Sequence, residues 1–311
     1  MEDKKKIIVI CGPTASGKTG LSLHIAEKFS GEIISADSMQ IYKNLDIGTA
    51  KATKEEQAVA PHHLVDIMDP SEPYNVQLFT EMAGKAIEEI SSRGNIPVIA
   101  GGTGLYIESL LNGIRFAQQE DNAEIKKQLQ EELQQFGKEY MYNILCDIDP
   151  EYALTVHPNN SVRVLRGIEV YRLTGKNMSS QLAESRPEEK PYDYLILGLN
   201  FRDRQKLYDN INMRVDIMMN EGLLSEAEYV YKNRDSFKTC VNAIGYKEFF
   251  PYFEGTSTLE ECVDKLKQAS RNYAKRQLTW FNRMKDVTWL YIDECNYKQA
   301  ATEAVNEFLR K

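Results

Sequence analysis

Apolar positions along the chain follow two different periods, and the alternation between them predicts the fold. Ile7, Ile8, Val9 and Ile10 form an unbroken apolar run within Lys6–Cys11, closed by Gly12-Pro13, which reads as a strand buried on both faces. From Thr19 to Phe29 the spacing lengthens, with Leu21, Ile25 and Phe29 four residues apart, as on one face of a helix. Glu32–Ala36 reads as a second strand, and His63–Ile67 as a short third before a proline-containing loop. Phe79–Ser92 has helical spacing, and Ile96–Ala100 reads as a strand ending in Gly101-Gly102-Thr103-Gly104. Strands alternating with helices predict a parallel sheet covered on both faces, with ligands at the carboxyl ends of its strands.

Between residues 114 and 185 the pattern changes. Glu, Gln and Lys crowd Gln118–Gln135, and helical spacing dominates without a convincing buried strand. This predicts a helical insertion (114–185) in an α/β core made of residues 1–113 and 186–311, bounded by Asn112-Gly113 and Arg186-Pro187. The sheet resumes at Tyr194–Asn200, and a late strand is expected near Trp289–Ile292.

Composition narrows the class. Apolar residues make up 42% of the 311 positions and charged residues 27%, as in a globular protein with a sizeable core. The apolar run after Met1-Glu2-Asp3-Lys4-Lys5-Lys6 is too short for a signal peptide, and no run reaches the roughly 18 residues of a membrane span. The expectation is a cytoplasmic protein without a membrane segment, and a monomer. Five scattered cysteines, none at C-x-x-C spacing, indicate neither a disulfide framework nor a zinc site and read as core residues. Adjacent His62 and His63 point to opposite faces of a strand, which favours structural roles over a shared metal.

Gly12-Pro13-Thr14-Ala15-Ser16-Gly17-Lys18-Thr19 fits G-x-x-x-x-G-K-[ST] between a strand and a helix. Loop N–H groups and the helix N-terminus would surround phosphate oxygens, Lys18 would add a point charge, and the Thr19 hydroxyl would ligate Mg²⁺. The motif does not say which phosphate, and nucleotide (ATP) binding fits it. Asp37, following a strand, is placed to accept a proton or to approach a metal, although a turn aspartate is an equal reading. Lys265–Lys285 carries Lys265, Lys267, Arg271, Lys275, Arg276, Arg283 and Lys285 with no acidic residue, and Tyr273, Trp280 and Phe281 interleave. Lys267, Arg271 and Lys275 stack on one helical face, which suits contact with a nucleic-acid backbone despite a net charge of −8.

Seven stretches in order resemble the tRNA dimethylallyltransferase (tRNA isopentenyltransferase) family, bacterial type. They are the phosphate loop, Asp37-Ser38-Met39-Gln40-Ile41-Tyr42, Asp46-Ile47-Gly48-Thr49-Ala50-Lys51, Gly101–Tyr106, Arg166–Lys176, Ala243–Glu248 and Tyr273–Phe281. The resemblance implies a P-loop NTPase-like fold. It also implies transfer of a dimethylallyl group from dimethylallyl diphosphate to N6 of the adenosine 3′ of the anticodon, in tRNAs reading codons that begin with U. By position it makes Asp37 the general base, sets Thr103 and Arg214 beside the leaving group, and gives Gly12 through Thr19 the diphosphate. It implies tRNA contacts from Asp37, Ser38, Met39, Gln40, Thr103, Lys126, Ser161, Val162, Arg163, Val164, Leu165, Lys275 and Arg276. The chain departs from the family pattern at Asn160, Val162, Gly167 and Asn242. Competing readings are a small-molecule kinase, an adenylate isopentenyltransferase acting on a free nucleotide, and a non-catalytic tRNA-binding or GTP-switch module.

Overall fold

The structure, a computed structural model, describes residues 4–116, 122–185, 187 and 189–311. Arg186, expected at the end of the insertion, and Gln118 lie outside the described residues. The first half alternates β1 (Lys5–Cys11), α1 (Lys18–Lys28), β2 (Gly31–Ser35), α2 (Lys54–Val59), β3 (His62–His63), α3 (Val76–Ser92), β4 (Ile96–Gly101) and α4 (Gly104–Leu111). Four helices follow: α5 (Ala123–Ile148), α6 (Pro150–Ala153), α7 (Ser161–Thr174) and α8 (Met178–Glu184). The chain then runs through β5 (Tyr192–Asn200), α9 (Arg204–Glu221), α10 (Leu223–Lys232), α11 (Phe250–Phe253), α12 (Leu259–Phe281), β6 (Val287–Tyr291) and α13 (Tyr297–Arg310).

The six strands form one sheet in the order β3-β2-β4-β1-β5-β6, with every pairing parallel. Alternation along β1 shows why the sheet is covered twice. Ile7, Val9 and Cys11 enter one core with Phe79, Ile87, Tyr106 and Phe281, while Ile8 and Ile10 enter the other with Leu21, Ile25, Ala301 and Val305. This is a P-loop NTPase-like α/β fold. The third strand holds only His62–His63, because Leu64 and Asp66 take left-handed backbone (φ 60 and 58) that ends the ladder. No helix among the described residues is long and apolar enough to cross a membrane.

The chain divides into two compact units, Met1–Leu111 with Pro191–Lys311, and Asn112–Lys190. The second unit is helical around Leu129, Met141, Leu145, Val164, Leu165 and Ile168. Its long helix α5 is interrupted at Gly137, where φ is 82. Gly167 of α7 packs so closely that a methyl group there would meet Leu145 Cδ1 at 2.6 Å, which accounts for its standing where the family pattern has alanine.

The described cysteines do not all sit in the core. Cys11, Cys240 and Cys262 are buried, Cys146 is half-buried and Cys295 is exposed at the turn before α13. His62 Nδ1 meets the Ala60 carbonyl (2.8 Å), and His63 Nε2 meets Glu32 Oε2 (2.7 Å). Glu32 is buried at the start of β2. It also accepts two hydrogen bonds from the Arg93 guanidinium (3.1 and 2.7 Å) and one from the Asn95 amide (2.8 Å). The Arg93 bonds chiefly, helped by Asn95 and His63 and opposed by burial, pull its carboxyl down to about 2.

Glu32→Gln should therefore destabilise the fold by roughly 2 kcal/mol at neutral pH, below the roughly 3–5 kcal/mol of a fully buried broken pair because half-exposed Arg93 regains water. A depressed carboxyl contributes fully above its ordinary value of 4.5 and loses that contribution as pH falls toward about 2. Urea denaturation of both proteins should show the gap narrowing as the pH is lowered across that window.

Candidate active site

The carboxyl ends of β1, β2 and β4 open onto one cavity of about 1130 Å³, lined wholly by the first unit. β1 leads into the phosphate loop. Gly12 takes φ 149, and a side chain there would meet the Leu199 carbonyl oxygen at 2.6 Å. Ala15 is left-handed (φ 61), a local strain that turns successive N–H groups toward the concave side of the loop. Thr14, Ala15, Ser16, Gly17, Lys18 and Thr19 all line the cavity. Gly12 and Pro13 contribute carbonyls instead, accepting from Lys18 Nζ at 3.0 and 2.7 Å. The Ser16 hydroxyl is buried without a hydrogen-bond partner among the described residues.

Two cations share this cavity. Burial, then repulsion by Arg214, push the Lys18 ammonium down to about 8, partly opposed by Asp37 and Cys11. Burial also lowers the Arg214 guanidinium, which projects from α9 and has no ion pair among the described residues. Cys11, beneath the loop, is pushed up to about 12 by burial and stays a neutral thiol.

Asp37 follows β2. Its Oδ1 accepts from the Met39 N–H at 2.8 Å and the Gln40 N–H at 3.4 Å, the bonds of a turn aspartate. The same residue lines the cavity. Crowding by protein atoms raises the carboxyl above its ordinary range, against the opposing pull of those N–H groups and of Lys18. The result is a carboxylate with increased proton affinity beside two cations.

The residues expected to serve chemistry separate on inspection. Asp37 and Arg214 line the cavity, while Thr103 does not: its hydroxyl is buried, and its N–H bonds the Ala36 carbonyl (3.3 Å). Ser38, Met39 and Gln40 line it too, but the Gln40 side chain is engaged internally. It accepts from Ser35 Oγ (2.9 Å) and donates to the Thr49 and Ala50 carbonyls (3.2 and 3.1 Å).

Helix α12 starts with a Thr258–Glu261 capping box and buries Cys262, Leu266, Ala274, Leu278 and Phe281. Its basic stripe is less free than the spacing suggests. Lys267 pairs with Asp216 (2.6 Å), Arg271 donates to Asn212 (2.6 Å), and Lys275 lies 5.8 Å from the Tyr208 ring centroid, all three partners on α9. Arg276 lines the cavity with Tyr273. Arg283 and Lys285 fall beyond the helix end.

In the second unit, Asn160 caps α7 by accepting from the Arg163 N–H (3.3 Å), as an aspartate there would. Val164 and Leu165 are buried in that unit's core, whereas Val162 is 80% exposed, Arg163 is exposed and Ser161 is half-buried. Within Ser161–Leu165, side-chain contact with another molecule is thus open to Val162 and Arg163, and the Ser161 hydroxyl is buried. Lys126 Nζ lies 3.9 Å from Glu169.

Several residues that brace the cavity walls have no role assigned by the sequence. Glu226 of α10 accepts from the N–H groups of Asp46, Ile47 and Gly48 (2.7, 2.9 and 2.8 Å) and from the Tyr246 hydroxyl (2.8 Å). Lys51, only 4% exposed at its side chain, ties the same loop to Asp46, to Asp66 and to the Tyr42 carbonyl. Gln277 of α12 bridges the phosphate loop and the Gly101–Gly104 turn. Gln277 had a signal: a polar residue at a position where the helical period calls for an apolar one.

The chain matches the family model described as IPP transferase over residues 40–284, and the one described as isopentenyl transferase over residues 5–63. It is 48% identical over 291 residues to a tRNA dimethylallyltransferase of Bacillus cereus (strain AH187), covering 94% of this chain and 91% of that one. It is 45% identical over 302 residues to a tRNA dimethylallyltransferase of Halothermothrix orenii, covering 97% and 92%. Among solved structures, the full-length tRNA isopentenylpyrophosphate transferase of Bacillus halodurans superimposes with a TM-score of 0.72 at 39% identity, covering 99% of both chains. A eukaryotic dimethylallyltransferase acting on tRNA gives a TM-score of 0.83 at 34% identity, covering 98% of this chain and 80% of that one.

The cavity's charge makes a prediction independent of any turnover. Lys18 loses its proton as pH rises through about 8, so calorimetry should show inorganic diphosphate binding weakening across that pH. Lys18→Met should lower the affinity about tenfold or more at neutral pH, the value of one charge-assisted hydrogen bond. An affinity indifferent to both changes would remove Lys18 from the anion site.

Proposed function

The chain belongs to the IPP transferase family, and from that premise we propose that it transfers a dimethylallyl group from dimethylallyl diphosphate to N6 of an adenosine in tRNA, releasing diphosphate. One observation carries the reading: a carboxylate of raised proton affinity faces the same cavity as Lys18 and Arg214, two cations with no ion pair among the described residues.

The chemistry divides between those groups. An exocyclic aromatic amine is a weak nucleophile, so the leaving group must be stabilised as its bond to the allylic carbon stretches. Lys18, Arg214 and the loop N–H groups supply fixed positive charge where negative charge grows, which costs no reorganisation at the moment of reaction. As N6 bonds to the allylic carbon, Asp37 takes its proton. The adenine must leave the anticodon stack to reach Asp37, at a cost of a few kcal/mol. Contacts with tRNA from Arg276, Lys275 and the exposed start of α7 would offset that cost.

Mg²⁺ fits the donor set in one way only. Among the described residues, no group of three or more His, Cys, Asp or Glu side chains is arranged to hold a metal. The Thr19 hydroxyl at the cavity, together with diphosphate oxygens and water, is an all-oxygen set of the kind Mg²⁺ accepts. When bound, the ion would neutralise charge on the departing diphosphate.

A kinase would use the phosphate loop and a carboxylate base equally well, but leaves the cationic residues of α12 without a role. The decisive experiment mixes the protein, Mg²⁺ and radiolabelled dimethylallyl diphosphate with unmodified tRNA or, separately, with AMP. Label is expected in tRNA alone; label in AMP, or none in either together with ATP turnover, would defeat the reading. Asp37→Asn keeps an oxygen for the Met39 and Gln40 N–H groups, so tRNA binding should persist while turnover falls about 10²- to 10⁴-fold. Wild-type tRNA affinity should fall steeply with salt, and Lys275→Glu with Arg276→Glu should flatten that slope by about two phosphate contacts. An unchanged slope would place the tRNA elsewhere.

A further inference from the structure

We infer that Gln277 is a positioning residue that fixes the phosphate loop against the Gly101–Gly104 turn, an inference that rests on the prenyl-transfer reading of the same cavity. The Gln277 side chain lies between two loops that share no strand pairing beyond their ends. Its Oε1 accepts from the Thr14 N–H at 2.8 Å, and its Nε2 donates to the Gly102 carbonyl at 3.0 Å. Both partners are backbone groups with fixed donor and acceptor roles, so the orientation of the amide is determined. The residue is buried (5% exposed), and every other buried residue of α12 is apolar.

The neighbours are built around this amide. A β-carbon on Gly102 would meet Gln277 Nε2 at 2.1 Å, so only glycine leaves room for it. One turn further along α12, the Trp280 ring lies 2.4 Å from where a β-carbon on Gly104 would stand. Tyr273, one turn earlier, lines the cavity. One helix face thus presents Tyr273, Gln277 and Trp280 in succession to the loops carrying Thr14 and Thr103, while adjoining Arg276 faces the cavity.

The bridge decides where the loop's donors point. Thr14 opens the wall of N–H groups that would surround diphosphate, and Gln277 turns its amide hydrogen away from the ligand, which fixes the curvature of the following residues. Without the amide, the loop and the Thr103 turn can move separately. A misplacement of about 1 Å between reacting groups costs on the order of a hundredfold in rate.

Two variants separate positioning from bulk stability. Gln277→Met keeps the shape and loses both bonds. Gln277→Glu reproduces both when its carboxyl is protonated, accepting from Thr14 and donating to Gly102, and only the first when ionised. Burial beside a carbonyl raises that carboxyl above the usual range, bringing its titration toward working pH. The turnover of Gln277→Glu divided by that of wild type should therefore rise as pH falls, although wild-type turnover itself falls as Asp37 protonates. Gln277→Met should bind inorganic diphosphate about tenfold more weakly, the effect of roughly one hydrogen bond. A rate ratio flat with pH, or wild-type diphosphate affinity in Gln277→Met, would overturn the inference. If Gln277→Met does not fold, the pH dependence of Gln277→Glu decides alone. A wild-type protein that transfers nothing would strike the prenyl-transfer reading instead, and the diphosphate measurement would still test the bridge.

Discussion

Two cations in one cavity, neither held in an ion pair among the described residues, are the constraint around which this molecule is arranged. Lys18 and Arg214 repel each other within one cavity, and burial penalises both. Such an arrangement persists only if the surrounding framework does not collapse around it, and the sheet provides that framework. β1 lies between β4 and β5 and is buried on both faces, so the loop leaving it is anchored at a rigid point. β4 ends beside it, and β2 next to that, which brings Gly102 and Asp37 to the rim of the same opening. Asp37, whose ionisation burial discourages, only partly offsets the repulsion between the cations, and Glu56 and Glu221 on the same cavity act on Arg214 in the same sense.

Much of this was legible because it is local. Four apolar residues before a glycine, and a helical period after a threonine, define β1 and α1 with no knowledge of distant partners. The Asp37 turn and the Gly101–Gly104 turn are similarly written in consecutive residues. Strand ends were read within two residues, except for β3. There, positive φ at Leu64 and Asp66 breaks a ladder that the apolar pattern alone would continue.

What stayed hidden is held together across the chain. Gln277 meets residues 263 and 175 positions away, and Glu226 meets the loop at 46–48 from about 180 positions away. No periodicity encodes such partners. The basic stripe of α12 shows the opposite failure: Lys267, Arg271 and Lys275 do share a face, but that face meets Asp216, Asn212 and Tyr208 of α9. A charge count along one helix cannot see the helix packed beside it. In α7 the motif Ser161–Leu165 combines two kinds of residue, because a helix that presents Val162 and Arg163 outward must bury Val164 and Leu165.

The loop at 46–48 has the same elementary geometry as a phosphate receptor: three consecutive amide hydrogens converging on one oxygen pair. Here the protein supplies the anion itself, as the carboxylate of Glu226. The three amide hydrogens are thus taken from the side of α10, while other atoms of the same loop line the cavity. An anionic guest finds them already occupied, and the amide hydrogens offered to it are those of the phosphate loop.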